Sequence, residues 1–164
     1  MTGADGPSGE VRVLLAALDQ AYDHRSWHGT NLRGSLRGLS SGEAAWRPAR
    51  DRHNIWEIAV HAAYWKYAVW RRLSGAPRGS FPLEGSNWFP RPIEATAKAW
   101  RDDLALLSRM HAALRRAVAE TPPARLRAAV RGEVGALALV TGIIAHDLYH
   151  AGQIQLIKTL HRRR

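Results

Sequence analysis

His146 and His150 stand four residues apart in the segment Thr141-Gly-Ile-Ile-Ala-His-Asp-Leu-Tyr-His-Ala-Gly-Gln-Ile154. On a helix this spacing stacks two imidazoles one turn apart on a single face. Leu139, Ile143, Ile154 and Ile157 fall on the same face, so the pair sits in an apolar stripe at core depth. Two imidazoles in such a place are either satisfied by hydrogen bonds or bound to a metal ion. The chain contains no cysteine, which excludes disulfides, thiolate ligands and a cysteine nucleophile. A metal would therefore be held by histidine, carboxylate or water. For a third ligand, periodicity offers His61 and His111 equally, each on the apolar stripe of another helix, and the residues alone do not choose between them. His24 and His28 form a second pair with the same spacing.

Side chains around these histidines have readings of their own. A ligating imidazole needs an acceptor for its other ring nitrogen, and Asp147 and Glu57 are the nearby carboxylates. Asp147 lies about 100° round the helix from His146, so it cannot share that face; it is either solvated or a contact between helices. Tyr64, Tyr149 and Gln153 are pocket candidates. Gly142 and Gly152 either leave room for a ligand or allow close helix packing, and packing is the preferred reading.

Four helices are needed to position these groups. Val11, Leu14, Leu15, Leu18 and Tyr22 recur at helical spacing, predicting a first helix from Val11 to His28. Gly29, Gly34 and Gly38 then weaken helical propensity, and Ser40 to Pro48 reads as a short capped turn of helix. Ile55, Ile58, Ala62, Trp65 and Val69 form the stripe of a second helix, Ile55 to Leu73, with His61 beside it. Ser74 to Pro92 is too rich in Gly and Pro for a regular element, yet Phe81, Trp88 and Phe89 imply that it packs down. The third helix runs from Ile93 to Glu120 and carries Trp100, Leu104, Leu107, His111, Leu114 and Val118; residues 124–134 read as a loop. The fourth helix runs from Val134 to His161. The expected fold is all-α, a four-helix bundle with a long crossover between helices 2 and 3.

The length of 164 residues fits one domain spanning the chain, with residues 1–9 flexible. No stretch reaches the roughly 18 apolar residues of a membrane span, and the N-terminus lacks an apolar signal segment. The expectation is a cytoplasmic protein with no membrane partner. The net charge of +10 raises the question of nucleic acid. The arginines are scattered over every segment, with one dense run at His161-Arg-Arg-Arg164. They read as solvated helix faces, and nucleic acid is not the expected partner.

Several pieces in order resemble the DinB/YfiT-like family of small four-helix metalloproteins. They are Trp27-His28-Gly29 with Leu32 and Leu36; Ala45-Trp46-Arg47-Pro48; Ile55-Trp56-Glu57-Ile58 leading to His61 and Trp65; and His146-Asp147-Leu148-Tyr149-His150-Ala151-Gly152-Gln153-Ile154, close to an H-x-x-x-H-x-G-Q-I pattern. The resemblance implies metal ligands His61, His146 and His150, and leaves His111 a core role. Three neutral imidazoles would leave a divalent ion its full charge and an open position. Zn, Ni, Fe or Mn would suit these donors. The resemblance further implies a metal-dependent enzyme, a thiol S-transferase or a hydrolase, acting on a small molecule with a low-molecular-weight thiol, and a homodimer. The alternative within the same resemblance is a non-catalytic, stress-associated metal- or ligand-binding protein.

Overall fold

The computed structural model describes residues 8–128 and 134–163. All regular structure among them is helical: α1 (Gly9–Tyr22), α2 (Leu32–Leu36), α3 (Ser41–Ala45), α4 (Ile55–Ser74), α5 (Ala97–Ala119), α6 (Pro123–Arg127) and α7 (Ala136–Arg162). The four long helices answer to the four predicted ones, and α3 to the capped turn. Helices α2 and α6 arise where the sequence suggested none. Each buries its leucines on the core, Leu32 and Leu36 in α2 and Leu126 in α6. The expected flexible end, apart from Ser8 and Gly9 at the start of α1, lies outside the described residues, as do residues 129–133 and Arg164.

The ends of the helices are set by side chains. The first helix stops at Tyr22, short of the predicted His28, because local bonds compete with the helix. Asn31 Nδ2 donates to the His24 carbonyl at 2.8 Å and Ser26 Oγ to the Gly29 carbonyl at 3.1 Å. His24 and His28 are consequently exposed, in irregular chain. Helix α4 opens with a reciprocal capping box: Asn54 Oδ1 accepts from the Glu57 amide at 2.8 Å, and Glu57 Oε2 accepts from the Asn54 amide at 3.2 Å. It closes on Gly75 at φ +73°, a left-handed cap. Thr96 caps α5, which begins at Ala97, four residues later than predicted.

Helix directions follow from what meets at each end. Trp56, near the start of α4, donates from Nε1 to Asp103 at 2.7 Å, and its ring lies 5.0 Å from that of Trp100 near the start of α5. At the other end, Val69 and Leu73 share a core cluster with Leu114 and Val118. So α4 and α5 run the same way, and residues 75–96 carry the chain back along them. Helix α7 runs opposite to both: Val140 and Ile143 join the cluster of Val69, while Ile154 and Ile157 join that of Trp56. Helices α1 and α4 each pack against both α5 and α7. No helix among the described residues is long and apolar enough to cross a membrane.

Between the two apolar clusters lies a polar layer. Lys66 of α4 donates to Asp147 of α7 at 2.5 Å, and both side chains are 0% exposed. The Lys66 ammonium lies 4.9 Å from the centre of the Tyr22 ring. Tyr22 stacks on His111 with centroids 3.6 Å apart. Burial pushes the Asp147 carboxyl above its usual range, opposed by Lys66. Asp147 is therefore the contact between helices, not the solvated residue.

Truncating one member of a buried ion pair strands the other charge, at a cost of about 3–5 kcal/mol. Lys66→Met should lower stability to chemical denaturation by that order. The double variant Lys66→Met/Asp147→Leu should recover most of the loss. A double variant no more stable than the single one would show that the pair does not act as a unit.

Candidate metal centre

The antiparallel packing of α4 on α7 brings His61 to His146 and His150. The Nε2 atoms of His61 and His146 are 3.1 Å apart, as are those of His146 and His150. One ligand atom from each ring lies within 4.8 Å of the others. The rings of His61 and His150 are buried and that of His146 is half-buried.

Their second ring nitrogens fix the protons. His61 donates from Nδ1 to the backbone carbonyl of Asn87 at 2.8 Å. His150 donates from Nδ1 to Gln153 Oε1 at 2.7 Å, and Gln153 Nε2 donates on to the Tyr149 hydroxyl at 3.0 Å. Both rings therefore present an Nε2 lone pair to the cluster. His146 Nδ1 is buried with no partner among the described residues. If His146 carries its proton on Nε2, it satisfies one neighbour well and leaves the other short. If it carries the proton on Nδ1, three lone pairs face one another. A cation resolves this deficit. Nitrogens about 2.0–2.1 Å from one zinc-like ion would be roughly 2.9–3.4 Å apart for angles between octahedral and tetrahedral values, and 3.1 Å falls within that span. Two of the three separations match that span and the third lies within 4.8 Å, so the three imidazoles could hold a divalent metal.

Burial holds the rings in the neutral form that ligation requires. It lowers His61 to about 4, against the opposing Asn87 carbonyl, and His146 to about 3, with His150 and His61 adding to the effect. It lowers His150 too, opposed by the bond to Gln153.

The roof comes from the crossover. Trp88 stacks on His61 at 3.8 Å and 9°, and its other face stacks on His53 at 3.6 Å and 5°. His53 is tied through Nδ1 to Glu57 at 3.0 Å, and Glu57 takes two bonds from Arg47 at 2.6 and 3.0 Å. Asn87 adopts φ +64°, a left-handed conformation that Asn tolerates better than most residues, and its Oδ1 accepts from Trp65 Nε1 at 3.0 Å. The loop that looked packed is packed on the site.

Of the sequence candidates, His61, His146 and His150 converge. His111 does not join them; it stacks on Tyr22, and burial with the nearby Lys66 charge lowers it to about 2. His24 and His28 are exposed, in irregular chain, and do not join the cluster. The two carboxylates proposed as acceptors are engaged elsewhere, Glu57 with Arg47 and His53, Asp147 with Lys66. Tyr64 packs among Phe81, Phe89 and Tyr67 under the crossover. A Cβ at Gly142 or Gly152 would meet nothing within 4 Å, so neither serves close helix packing. Gly142 instead borders a hollow of about 170 Å³ beside His146. The residues carry no signal for the roles of Asn87 and His53, whereas Trp88 is one of the aromatics whose place in the Gly- and Pro-rich segment implies packing.

A family model described as the DinB superfamily matches residues 24–154. The match contains all three histidines and the crossover, and begins just after α1. No curated protein and no solved structure gives a significant match.

His111 gives a pH prediction. Its folded value of about 2 lies below the unfolded value of about 6.5, so the unfolded chain binds the extra proton. Stability is full above about pH 6.5 and declines as pH falls through that value towards the folded one. His111→Phe, which keeps a ring against Tyr22, should gain stability relative to the parent as pH drops from 7 to 5. An unchanged difference between the two denaturation curves over that range would contradict the assignment of a neutral buried imidazole.

Proposed function

The chain belongs to the DinB superfamily, and from that premise we propose that it is a metal-dependent enzyme holding one divalent ion through His61, His146 and His150. The observation that carries the reading is the proton deficit among three converging Nε2 atoms, with the tautomers of His61 and His150 fixed by Asn87 and Gln153. We place the fold in the four-helix-bundle class, a reading supported by the closed ring of contacts in which α1 and α4 each touch α5 and α7.

Bound there, a divalent ion supplies Lewis acidity and lowers the pKa of a water or thiol at its open position. The protein's own groups do the rest. Asn87 and Gln153 aim two imidazoles. Trp88, clamped between His53 and His61, keeps solvent off the His61 ring. Zn, Ni, Fe and Mn all accept three imidazoles. The reaction class is S-transfer with a low-molecular-weight thiol, or hydrolysis, on a small molecule. The same reading carries a cytoplasmic homodimer, and the stress-linked role belongs to the non-catalytic alternative.

The test is elemental analysis of the purified protein and its variants. Metal near one per chain is expected, lost in His61→Ala and retained in His111→Ala. Metal kept in the first variant and lost in the second would overturn the ligand set. Gln153→Leu removes the acceptor for His150 and should weaken metal binding about 10- to 100-fold in chelator competition. Unchanged affinity would remove Gln153 from the centre.

A further inference from the structure

A cavity of about 510 Å³ opens beside His150, within the range of about 300–1,000 Å³ common for small-molecule sites. Trp88 and Tyr149 form its aromatic walls, and both present their rings edge-to-face to His150, at 6.3 and 5.1 Å between centroids. Leu156, Ile157 and Leu160 line it further along α7. Tyr149, Leu156 and Leu160 recur at i, i+7 and i+11, one face of the helix. They are 64%, 61% and 45% exposed. Large apolar side chains left this open in one cluster, against a polar centre, mark a binding surface.

The lining offers no net charge for an ionic tail. The charged residues at this cavity are Asp51 and Arg52, of opposite sign, and the ring of His53 is bonded to Glu57. The arginine-rich hollow formed by Arg71, Arg72, Arg78 and Arg125 is a separate one and contains none of the three histidines. The smaller hollow on the His146 side shares no residue with the cavity beside His150.

We propose that the substrate of this centre carries an apolar alkyl or aryl group that lies along Trp88, Tyr149, Leu156 and Leu160, with its polar head at the three imidazoles. This rests on the metal reading above and adds the substrate class to it. Gln153 then sits at the junction, bonded to His150 on one side and to Tyr149 on the other, where head and tail meet.

Alkyl hydroxamates, whose head group binds open metal centres, provide the probe. The metal-loaded protein is titrated calorimetrically with aceto-, butano-, hexano- and octanohydroxamate. Affinity should rise about two- to fourfold per added methylene as each CH₂ leaves water. Leu156→Asp, on an exposed position, should flatten this dependence while leaving acetohydroxamate affinity unchanged. Gly142→Leu, which fills the other hollow, should leave the dependence intact. Acetohydroxamate binding with no chain-length dependence overturns the proposal and spares the metal centre. So does a dependence abolished by Gly142→Leu and untouched by Leu156→Asp. A flat dependence together with a dimer that Leu156→Asp converts to monomer assigns this face to a second copy and also overturns it. Failure of the metal-loaded protein to bind acetohydroxamate at all overturns the open metal centre and this proposal with it.

Discussion

Three imidazole nitrogens meeting at one point with too few protons between them is the constraint on which the rest of the structure turns. Neutral histidines repel less than charged ones, but lone pairs 3.1 Å apart still need a donor or a cation. The surroundings remove the cheap solutions. Burial disfavours protonating the rings, and the outer nitrogens of His61 and His150 are already committed to oxygen acceptors. Two of the three tautomers are thus decided outside the cluster, by a backbone carbonyl on the crossover and by a residue three positions along α7.

The same level of the molecule carries a second polar link between α4 and α7. Asp147 directly follows His146 and Lys66 lies five residues after His61, so each points to another face of its helix, about 100° and about 140° round from the histidine. Sliding α7 past α4 by one residue would separate the imidazoles and leave a lysine and an aspartate unpaired in apolar surroundings. What the buried pair contributes is therefore register. The apolar stripes of Ile143, Ile154 and Ile157 alone would tolerate small slips; two coincident polar links do not.

Much of this could be read in the residues. Periodicity located the four long helices, every end but that of α1 within about four positions, because each has a strong apolar stripe, and it placed His146 and His150 at core depth. What it missed has definite causes. Two short helices, α2 and α6, rest on tertiary burial of Leu32, Leu36 and Leu126, which five-residue windows do not reveal. The end of α1 depended on side-chain bonds from Asn31 and Ser26. Carboxylates are the usual acceptors for the outer nitrogens of such rings, which pointed to Glu57 and Asp147; the chain uses a main-chain carbonyl and an amide instead. A main-chain carbonyl has no residue identity, so no sequence pattern could have named Asn87 for it.

The choice between His61 and His111 shows where residue patterns end and electrostatics begins. Both lie on apolar stripes, and both are buried. His111, however, stacks face to face on Tyr22, and the Lys66 ammonium lies over that same tyrosine. A second cation brought there would be repelled by the first at low effective dielectric. His61 faces two other neutral imidazoles and donates its outer proton to a carbonyl, so the electrostatics there lack a cation and favour one. The polar layer in the core is thereby divided. On the α1 and α5 side the Lys66 charge is already in place, held by Asp147, and His111 is a packing residue. On the crossover side three imidazoles converge, and one of them, His150, lines an apolar-walled cavity. Among the described residues, it is on the second side that the fold gathers donors without supplying the charge they would need.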